Sequence, residues 1–339
     1  MTSEIRSEIR SETELVRSAS RCPPRAFAAA SIAVAILVAG CAGGGITPIR
    51  TAFNRGVYHY SNGNLEEAGA EFRAALEEDE ADQRARFNLA LTLEDLAALR
   101  GREGDAARQA ALESQARAEY EEILRRDPGH SRATVNLAAF EIAHGEGARG
   151  IERLRSALAE RPRDALVSTA LAAHLLRDEG GSPEGLEEAR ELLERALDVD
   201  PTDVAANMLL GDVLGRLALR SAGDERTRLA NAAREAHARA LKRSPGDVAT
   251  LLALAQIELA LGDNAAARVA LVKALAIDPD NRRAHRTLAR VAEDAGDLEG
   301  AVYHLWRTRD LDPDAEAREE YRARLAQLYR RLLSALGEG

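Results

Sequence analysis

Six residues, Gly145 to Gly150, fit the spacing G-x-G-x-x-G with which dinucleotide-binding loops hold a pyrophosphate. The glycines of such a loop let the backbone approach the phosphates, provided that the loop follows a strand and opens a helix. Here the six residues follow a helical pattern and lie where a short turn joins two helices. We therefore interpret Gly150 as a small residue at a helix crossing and predict no nucleotide site.

Seven histidines are spread along the chain without the spacing of a metal site. No two of them fit H-x-x-x-H or H-E-x-x-H, and no cysteine accompanies them as a zinc ligand would. The sequence also lacks a P-loop and the G-x-S-x-G turn of hydrolases. Adjacent acidic residues such as Glu77 and Glu78 are interpreted as solvated helix faces. We therefore predict no metal, no cofactor and no enzymatic activity. The histidines are His59, His130, His144, His174, His237, His285 and His304.

The composition favours a helical protein with an acidic surface. Of 339 residues, 45 % are hydrophobic and only 4 % are aromatic, and much of the hydrophobic content is alanine, the best helix former. The β-branched and aromatic runs that are typical of strands are scarce. A formal net charge of −10 argues against nucleic acid as a partner, because nucleic-acid binding needs a basic patch. We expect protein partners and no small-molecule substrate.

Cys41 follows an uncharged run, residues 26–40, that has the length of a signal-peptide core and is short for a membrane-spanning helix. Residues 38–41, Val-Ala-Gly-Cys, resemble the lipobox of bacterial lipoproteins. The resemblance implies removal of residues 1–40 as a signal peptide and attachment of acyl chains, palmitate among them, to Cys41. Several acyl chains hold a protein at a membrane, whereas a single chain binds only marginally. Cleavage would also remove Cys22 and leave no second cysteine for a disulfide.

Alternatives stay open for the N-terminal segment. Four glutamates precede the apolar run, unlike the basic start of a signal peptide, so translation beginning near Val16 would fit better. In the second alternative, the run from Ala26 to about Ile49 forms an uncleaved anchor helix in the inner membrane. In both cases the arginines before the run stay inside, and the rest of the chain lies outside the cytoplasm.

Residues 41–48 are rich in glycine and predict a flexible tether. Ala42 stands where some bacterial lipoproteins carry the aspartate that retains them at the inner membrane. The resemblance therefore implies the outer membrane, with the protein facing the periplasm.

From residue 49 to residue 315 the sequence repeats with a period of 34 residues, which predicts a solenoid. Each of seven units has a small residue in its first half, a second small residue early in its second half, and a larger side chain four places later. Proline closes six units, because it cannot continue a helix. The first small residues are Gly56, Ala90, Ala138, Ala172, Gly211, Ala255 and Ala289. The second small residues are Ala68, Ala116, Gly150, Ala189, Ala233, Ala267 and Ala301. The larger side chains are Phe72, Tyr120, Leu154, Leu193, His237, Leu271 and Leu305.

This pattern resembles the tetratricopeptide repeat, in which two antiparallel helices cross at small residues. The resemblance implies an all-α fold, a right-handed α-solenoid of about seven helical hairpins over residues 49–315. In the first unit, a turn at residues 61–64 precedes a helix from Leu65 to about Glu78. Residues 316–339 predict a capping helix with one apolar face, and a dimerisation helix is the alternative. The residues of that face are Tyr321, Leu325, Leu328, Leu332 and Leu336.

Three of the units are longer than the 34-residue period. The extra residues lie near 97–110, 179–183 and 218–227, between the two helices of each unit. We expect these insertions to project from one edge of the solenoid. They are interpreted as variable exposed loops, with a partner-facing ridge as the alternative.

In the tetratricopeptide family, the first helix of each unit lines a groove that holds a peptide or a partner helix. By resemblance, the groove positions of this chain are mostly apolar in the early units and basic in the seventh. Asparagine recurs at one position in the first three units, where its amide can bond a peptide backbone or serve the fold. The family's clamp for peptide carboxylates is not matched, because Phe53 stands where that clamp has lysine. The candidate groove residues are Phe53, Asn54, Val57, Phe87, Asn88, Leu91, Val135, Asn136, Met208, Arg286 and Arg290.

Together these features predict a membrane-anchored protein–protein interaction scaffold of the bacterial envelope, of the pilus, secretion or outer-membrane assembly type. The alternative is an accessory subunit of an envelope enzyme or of a polysaccharide export complex. The expected partners are other envelope proteins or peptides, and the membrane through the lipid on Cys41.

Overall fold

The structure, a computed structural model, describes residues 51–177 and 182–337. These residues form fifteen helices and no strand, so the predicted all-α fold is confirmed. The predicted signal peptide, Cys41 and the tether lie outside the described residues, as does most of the insertion near 179–183.

The described residues belong to two compact units, residues 51–177 and residues 182–337. Within each unit consecutive helices pack as hairpins and successive hairpins stack, so each unit is an α-solenoid. The helices of the first unit are α1 (Ala52–Ser61), α2 (Leu65–Glu78), α3 (Gln83–Arg102), α4 (Ala106–Arg126), α5 (Ser131–Ala143), α6 (Gly147–Glu160) and α7 (Ala165–Arg177). Those of the second are α8 (Pro183–Val199), α9 (Val204–Arg220), α10 (Gly223–Arg243), α11 (Val248–Ala260), α12 (Asn264–Ile277), α13 (Arg282–Asp294), α14 (Leu298–Leu311) and α15 (Ala315–Leu336). Helices α7 and α8, predicted as the two halves of the fourth repeat, belong to different units.

A polar side chain two residues after each of five closing prolines caps the next helix. Asn281, for example, follows Pro279, and its Oδ1 accepts a hydrogen bond from the backbone N–H of Ala284 at 3.0 Å. Proline ends one helix because its nitrogen carries no hydrogen, and the cap starts the next one. The boundary between successive hairpins is therefore fixed within one short turn. The five capping residues are His130, Asp164, Asp203, Asp247 and Asn281.

The two helices of a hairpin meet at the small residues of the repeat. A Cβ atom on Gly150 would lie 2.6 Å from the carbonyl oxygen of Ala138, which is closer than packed atoms come. On Gly56 it would lie 2.6 Å from the ring of Phe72. Where the second small residue is alanine it is fully buried, so the predicted crossing positions are confirmed. These alanines are Ala68, Ala116, Ala189, Ala233, Ala267 and Ala301.

The insertions near 97–110 and 218–227 are mostly exposed as expected, but the expectation that they form loops is wrong. Helix α3 continues to Arg102 and α4 begins at Ala106, so the extra residues lengthen both helices. Helices α9 and α10 are lengthened in the same way. Within the two insertions only Ala97 and Ala218 are buried, and most of the other inserted residues are exposed, so the added turns extend the hairpins beyond the core. Buried residues in and beside the extensions are Leu96, Ala97, Leu112, Leu214, Leu217, Ala218 and Ala230.

Helix α15 covers the last hairpin of the second unit. Leu325 and Leu328 are buried against a cluster that includes Leu305 of α14. The predicted capping contact is confirmed for these residues. Tyr329 and Leu333 remain 48 % and 44 % exposed, so α15 also carries large apolar side chains outside this contact.

Two buried glutamates join neighbouring helices. Glu141 of α5 is fully buried and accepts hydrogen bonds from Nε and Nη2 of Arg153 at 3.0 and 2.7 Å. Glu258 of α11 accepts one from Nε of Arg234 at 2.8 Å. A buried carboxylate is tolerated only when it is paired and hydrogen-bonded, so each pair fixes how its two helices meet. Sequence reasoning missed both pairs, because nothing in the repeat distinguishes these glutamates from solvated ones.

His237 occupies a core position where the other repeats place phenylalanine, tyrosine or leucine. Its side chain is 1 % exposed, and neither ring nitrogen has a hydrogen-bond partner among the described residues. Asp212 Oδ1 lies 3.6 Å from Nε2, which is longer than a hydrogen bond. Burial lowers the pKa of His237 to about 4, because the charged imidazolium would lose its hydration. The second unit therefore contains a neutral imidazole in its core.

Replacing His237 with leucine is expected to make the second unit less sensitive to acid. The pKa of His237 is about 4 in the folded chain and near 6.5 in the unfolded chain, so only the unfolded chain binds the proton between these values. Stability therefore falls as the pH falls through this window, by up to about 3 kcal/mol. His237→Leu should remove that part of the loss. Trp306 is the only tryptophan and lies on α14, so its fluorescence during urea unfolding follows the second unit.

Leu271, at the equivalent position of the next repeat, offers the reciprocal variant. Leu271→His should add an acid-induced loss of stability below about pH 6.5. If the parent chain and His237→Leu show the same pH dependence of the unfolding midpoint, the buried neutral imidazole is not the cause.

Candidate partner-binding surface

The first helices of the first unit present a mostly apolar face. Val57 of α1 is 40 % exposed, and the other apolar groove candidates of this unit are half-buried. Equivalent positions of stacked hairpins lie on the same side of a stack, which applies to Phe53, Phe87 and Val135 and also to Val57 and Leu91. We call them the first-unit face. Its members are Phe53, Val57, Phe87, Leu91 and Val135.

The two phenylalanines of this face also contribute to the core. The ring centroid of Phe53 lies 5.9 Å from that of Phe72, and the ring of Phe87 lies 6.0 Å from that of Tyr120. The guanidinium of Arg84 lies over the Phe53 ring, 5.0 Å from its centroid. Core packing on one side therefore fixes the orientation of both aromatic rings before any partner arrives.

Hydrogen bonds between tyrosines and carboxylates link the helices beside this face. The Tyr60 hydroxyl donates to Asp95 Oδ2 at 2.6 Å, and the Tyr120 hydroxyl donates to Glu94 Oε2 at 2.8 Å. Asn136 Nδ2 donates in turn to the Tyr120 oxygen at 3.1 Å. Burial raises the pKa of Glu94 to about 7; the hydrogen bond from Tyr120 opposes this shift and the charge of Asp95 adds to it. Sequence reasoning missed this network, because its partners lie on different helices.

The three recurring asparagines have different surroundings. Asn88 is buried, and its Nδ2 donates to the carbonyl oxygen of Arg84 at 2.8 Å within α3. The side-chain Nδ2 of Asn136 donates a hydrogen bond to the Tyr120 hydroxyl oxygen. Asn54 lies near the start of α1 and is half-buried. The side-chain NH₂ groups of Asn88 and Asn136 thus serve the fold, which leaves mainly their carbonyl oxygens for a peptide backbone.

The remaining groove candidates belong to the second unit. Met208 is half-buried on α9, while Arg286 and Arg290 are exposed on α13. Arg283, also exposed, lies one turn before Arg286, so the three arginines share one side of α13. We call Arg283, Arg286 and Arg290 the arginine face.

The first-unit face offers apolar contact area, and the arginine face offers positive charge. Among the described residues, no three histidine, cysteine, aspartate or glutamate side chains gather as they would around a metal ion. Within residues 51–177 and 182–337, none of the helices is both long enough and apolar enough to cross a membrane.

Sequence profiles of the tetratricopeptide repeat match most of the chain. The matched residues are 49–82, 113–173, 184–248, 229–290 and 258–328. They make up more than half of the 339 residues, and the chain therefore belongs to the tetratricopeptide repeat family. No curated protein matches the sequence.

Solved structures share the fold. Human IFIT1, solved as a dimer with PPP-AAAA, matches with a TM-score of 0.56 and 19 % identity over 84 % of this chain and 65 % of its own. The chain thus spans less than two thirds of the length of the IFIT1 chain. PilW, described as a widely conserved type IV pilus biogenesis factor, matches with a TM-score of 0.52 and 18 % identity over 68 % of this chain and 97 % of its own. At such identities the likeness concerns the fold alone.

Glu94→Gln is expected to stabilise the first unit at neutral and higher pH. The pKa of Glu94 is about 7 in the folded chain against an ordinary 4.5, so between these values the folded chain binds more protons than the unfolded chain. Stability therefore falls as the pH rises through this window. Glutamine keeps an oxygen that accepts from Tyr120 and carries no charge. The gain should reach up to about 3 kcal/mol above pH 7 and vanish near pH 4.5.

The measurement is hydrogen exchange of the backbone amides of α3 and α4, which reports the stability of the first unit directly. Glu77→Gln, at an exposed glutamate of α2, is the matched control. A gain that does not change with pH, or an equal gain in the control, would count against a buried and protonated Glu94.

Proposed function

We propose that this protein is a non-catalytic scaffold of the bacterial cell envelope that binds segments of other proteins on the first-unit face. Membership of the tetratricopeptide repeat family supports protein binding as the activity. The observation that carries the proposal is the recurrence of apolar side chains at equivalent positions of successive first helices, with Val57 exposed and Phe53, Phe87, Leu91 and Val135 half-buried.

A single exposed apolar residue would need no explanation, because most protein surface is apolar. The first-unit face is different, since apolar side chains recur at equivalent positions of successive hairpins. A partner segment that covers this surface gains about 25 cal/mol for each Å² of apolar area removed from water. The aromatic rings lose little freedom on binding, because Phe72 and Tyr120 already hold them. The ligand that fits is a hydrophobic segment, either helical or extended.

The proposed place of action is a membrane surface. The resemblance of residues 38–41 to a lipobox supports a lipid anchor on Cys41, which would hold the repeats on the periplasmic side of the outer membrane. Retention at the inner membrane by an uncleaved helix over residues 26–49 is the alternative. Both arrangements place the repeats outside the cytoplasm.

The process served is proposed to be pilus biogenesis, secretion or outer-membrane assembly. The fold shared with PilW, a type IV pilus biogenesis factor, is compatible with the first of these. An accessory role in an envelope enzyme or polysaccharide export complex is the alternative, and co-purified partners separate the two. IFIT1 was solved with PPP-AAAA, but a net charge of −10 gives this chain little attraction for a polyanion.

A photo-crosslinking side chain at Val57 is expected to capture the partner in cells. The same side chain at Ala70, which is exposed on α2 of the same hairpin, is the matched control and should capture much less. In a separate variant without the crosslinker, Val57→Asp should weaken partner binding by at least about tenfold, because it places a charge in an apolar contact. Val57 is already exposed, so the fold should be retained. Equal capture from both positions would contradict binding at the first-unit face.

Cys41→Ser is expected to release the protein from the membrane into the soluble fraction, because serine at this position cannot be lipidated. Cys22→Ser, which alters a residue of the predicted signal peptide, should leave the protein at the membrane. Cell fractionation with immunoblotting measures both. A membrane-bound Cys41→Ser variant would support the uncleaved anchor and contradict the lipid anchor.

A further inference from the structure

Large apolar side chains are exposed on the second helices of the last two repeats. Val269 and Val272 of α12 are 55 % and 49 % exposed, and Tyr303 and Trp306 of α14 are 52 % and 41 % exposed. The two pairs occupy equivalent positions, two and five residues after the second small residue of each repeat. Both pairs therefore lie on the same side of the stacked hairpins. We call these four residues the second-helix patch.

The second-helix patch is specific to these two repeats. In the five earlier repeats, the same two positions hold only alanine or a charged residue. The fold therefore does not require large apolar side chains there, and their exposure adds nothing to the core. The earlier residues are Ala70 and Arg73, Ala118 and Glu121, Glu152 and Arg155, Glu191 and Glu194, and Glu235 and Ala238.

The charged side chains around the patch are mainly basic. Helix α12 contains two charged residues, Arg268 and Lys273, and each is exposed beside a valine of the patch. On α14 the guanidinium of Arg309 lies over the Trp306 ring, 5.8 Å from its centroid. The two helices together contain four basic and two acidic residues, whereas the whole chain has a net charge of −10. The patch thus joins apolar area with local positive charge.

The acidic residues of α14 lie at the margins of the patch. Asp310 accepts a hydrogen bond from Nη2 of Arg309 at 2.6 Å, so its charge is already paired. Glu299 lies one turn before Tyr303, at the start of the helix. Neither carboxylate separates Tyr303 from Trp306, and α12 contains none.

Tryptophan and tyrosine beside arginine and lysine form the composition that proteins place at a membrane–water interface. The aromatic rings enter the boundary between headgroups and acyl chains, while their polar atoms stay hydrated. Basic side chains bury their apolar stems and direct their charged ends toward lipid phosphates. An exposed apolar patch marks a docking site for a protein or for a membrane, and the basic residues around this one favour an anionic membrane.

We propose that the second-helix patch docks against a bilayer surface that contains anionic phospholipids. This inference rests on the proposed function, because the lipid anchor on Cys41 would keep such a surface within reach of the repeats. A second attachment strengthens the first, since it forms at a high effective concentration. Docking would also orient the second unit on the membrane, which a flexible tether alone would not do.

Trp306 supplies a local test, because it is the only tryptophan of the chain and belongs to the patch. Its fluorescence reports on the patch even when another segment holds the chain on a vesicle. The full chain is mixed with vesicles of phosphatidylethanolamine and phosphatidylglycerol that carry bromine on their acyl chains. Docking should shift the Trp306 emission to shorter wavelength, and the bromine should quench it. Brominated phosphatidylcholine vesicles should quench less, because they have no net charge.

V269E/V272E should remove at least about half of the quenching, because two carboxylates oppose both the apolar and the ionic contact. Both valines are exposed and glutamate is a good helix former, so the fold should be retained. A70E/A238E is the matched control, since it adds the same charge at exposed, equivalent positions of earlier repeats. The control should be quenched like the parent chain.

Trp306 emission that is unchanged by vesicles, or an equal loss of quenching in both double variants, would overturn the proposal. Equal quenching by phosphatidylcholine would contradict recognition of anionic lipid. A shift that grows with protein concentration in the absence of vesicles would assign the patch to a second copy of the chain instead. Fractionation of Cys41→Ser tests the lipid anchor and does not involve Trp306, so failure of the anchor and failure of the patch are separate results.

Discussion

The close approach of paired helices at small residues is the constraint on which both units depend. At Gly150 there is no room for a methyl group, because the carbonyl oxygen of Ala138 would be 2.6 Å away. At Gly211 the space is filled by the ring of His237, 2.5 Å from where a Cβ would lie. Because the backbones of the two helices approach so closely at these positions, one helix can slide or rotate very little on the other. The register of each hairpin is thereby fixed, and with it the direction in which every first helix presents its outer residues.

That constraint explains why the period of the sequence located so much of the fold. Helix α2 spans Leu65–Glu78 as predicted, because the breaker residues before it and the small residues within it are local signals. The lengths of α3 and α4 were not predicted, since an insertion in a helix and an insertion in a loop leave the same flanking pattern. Alanine and arginine are frequent in the insertion near 97–110, and their high helix propensity was the signal that could have revealed the longer hairpin.

Buried ionisable groups were the part of the structure that the repeat pattern could not reveal. The pattern specifies size at the crossing positions, and a histidine or a tyrosine satisfies it as well as a leucine. Whether Glu94, Glu141 or Glu258 is solvated depends on what the neighbouring helix places against it, which is a contact between distant residues. Glu94 and His237 are both held toward their neutral forms by burial, and because one is an acid and the other a base, they make their units respond to pH in opposite directions.

Core and binding surface cannot be separated by repeat position alone. Phe87 packs against Tyr120 and also forms part of an open face, while Asn88, one residue later, directs its donor into its own helix. A repeat position therefore specifies where a side chain lies and not what it contacts. Because the hairpin geometry is constant, the residue at such a position can change from Phe53 to Arg286 without altering the backbone that carries it. The chemistry of equivalent surface positions can thus differ between the two units while their fold stays the same.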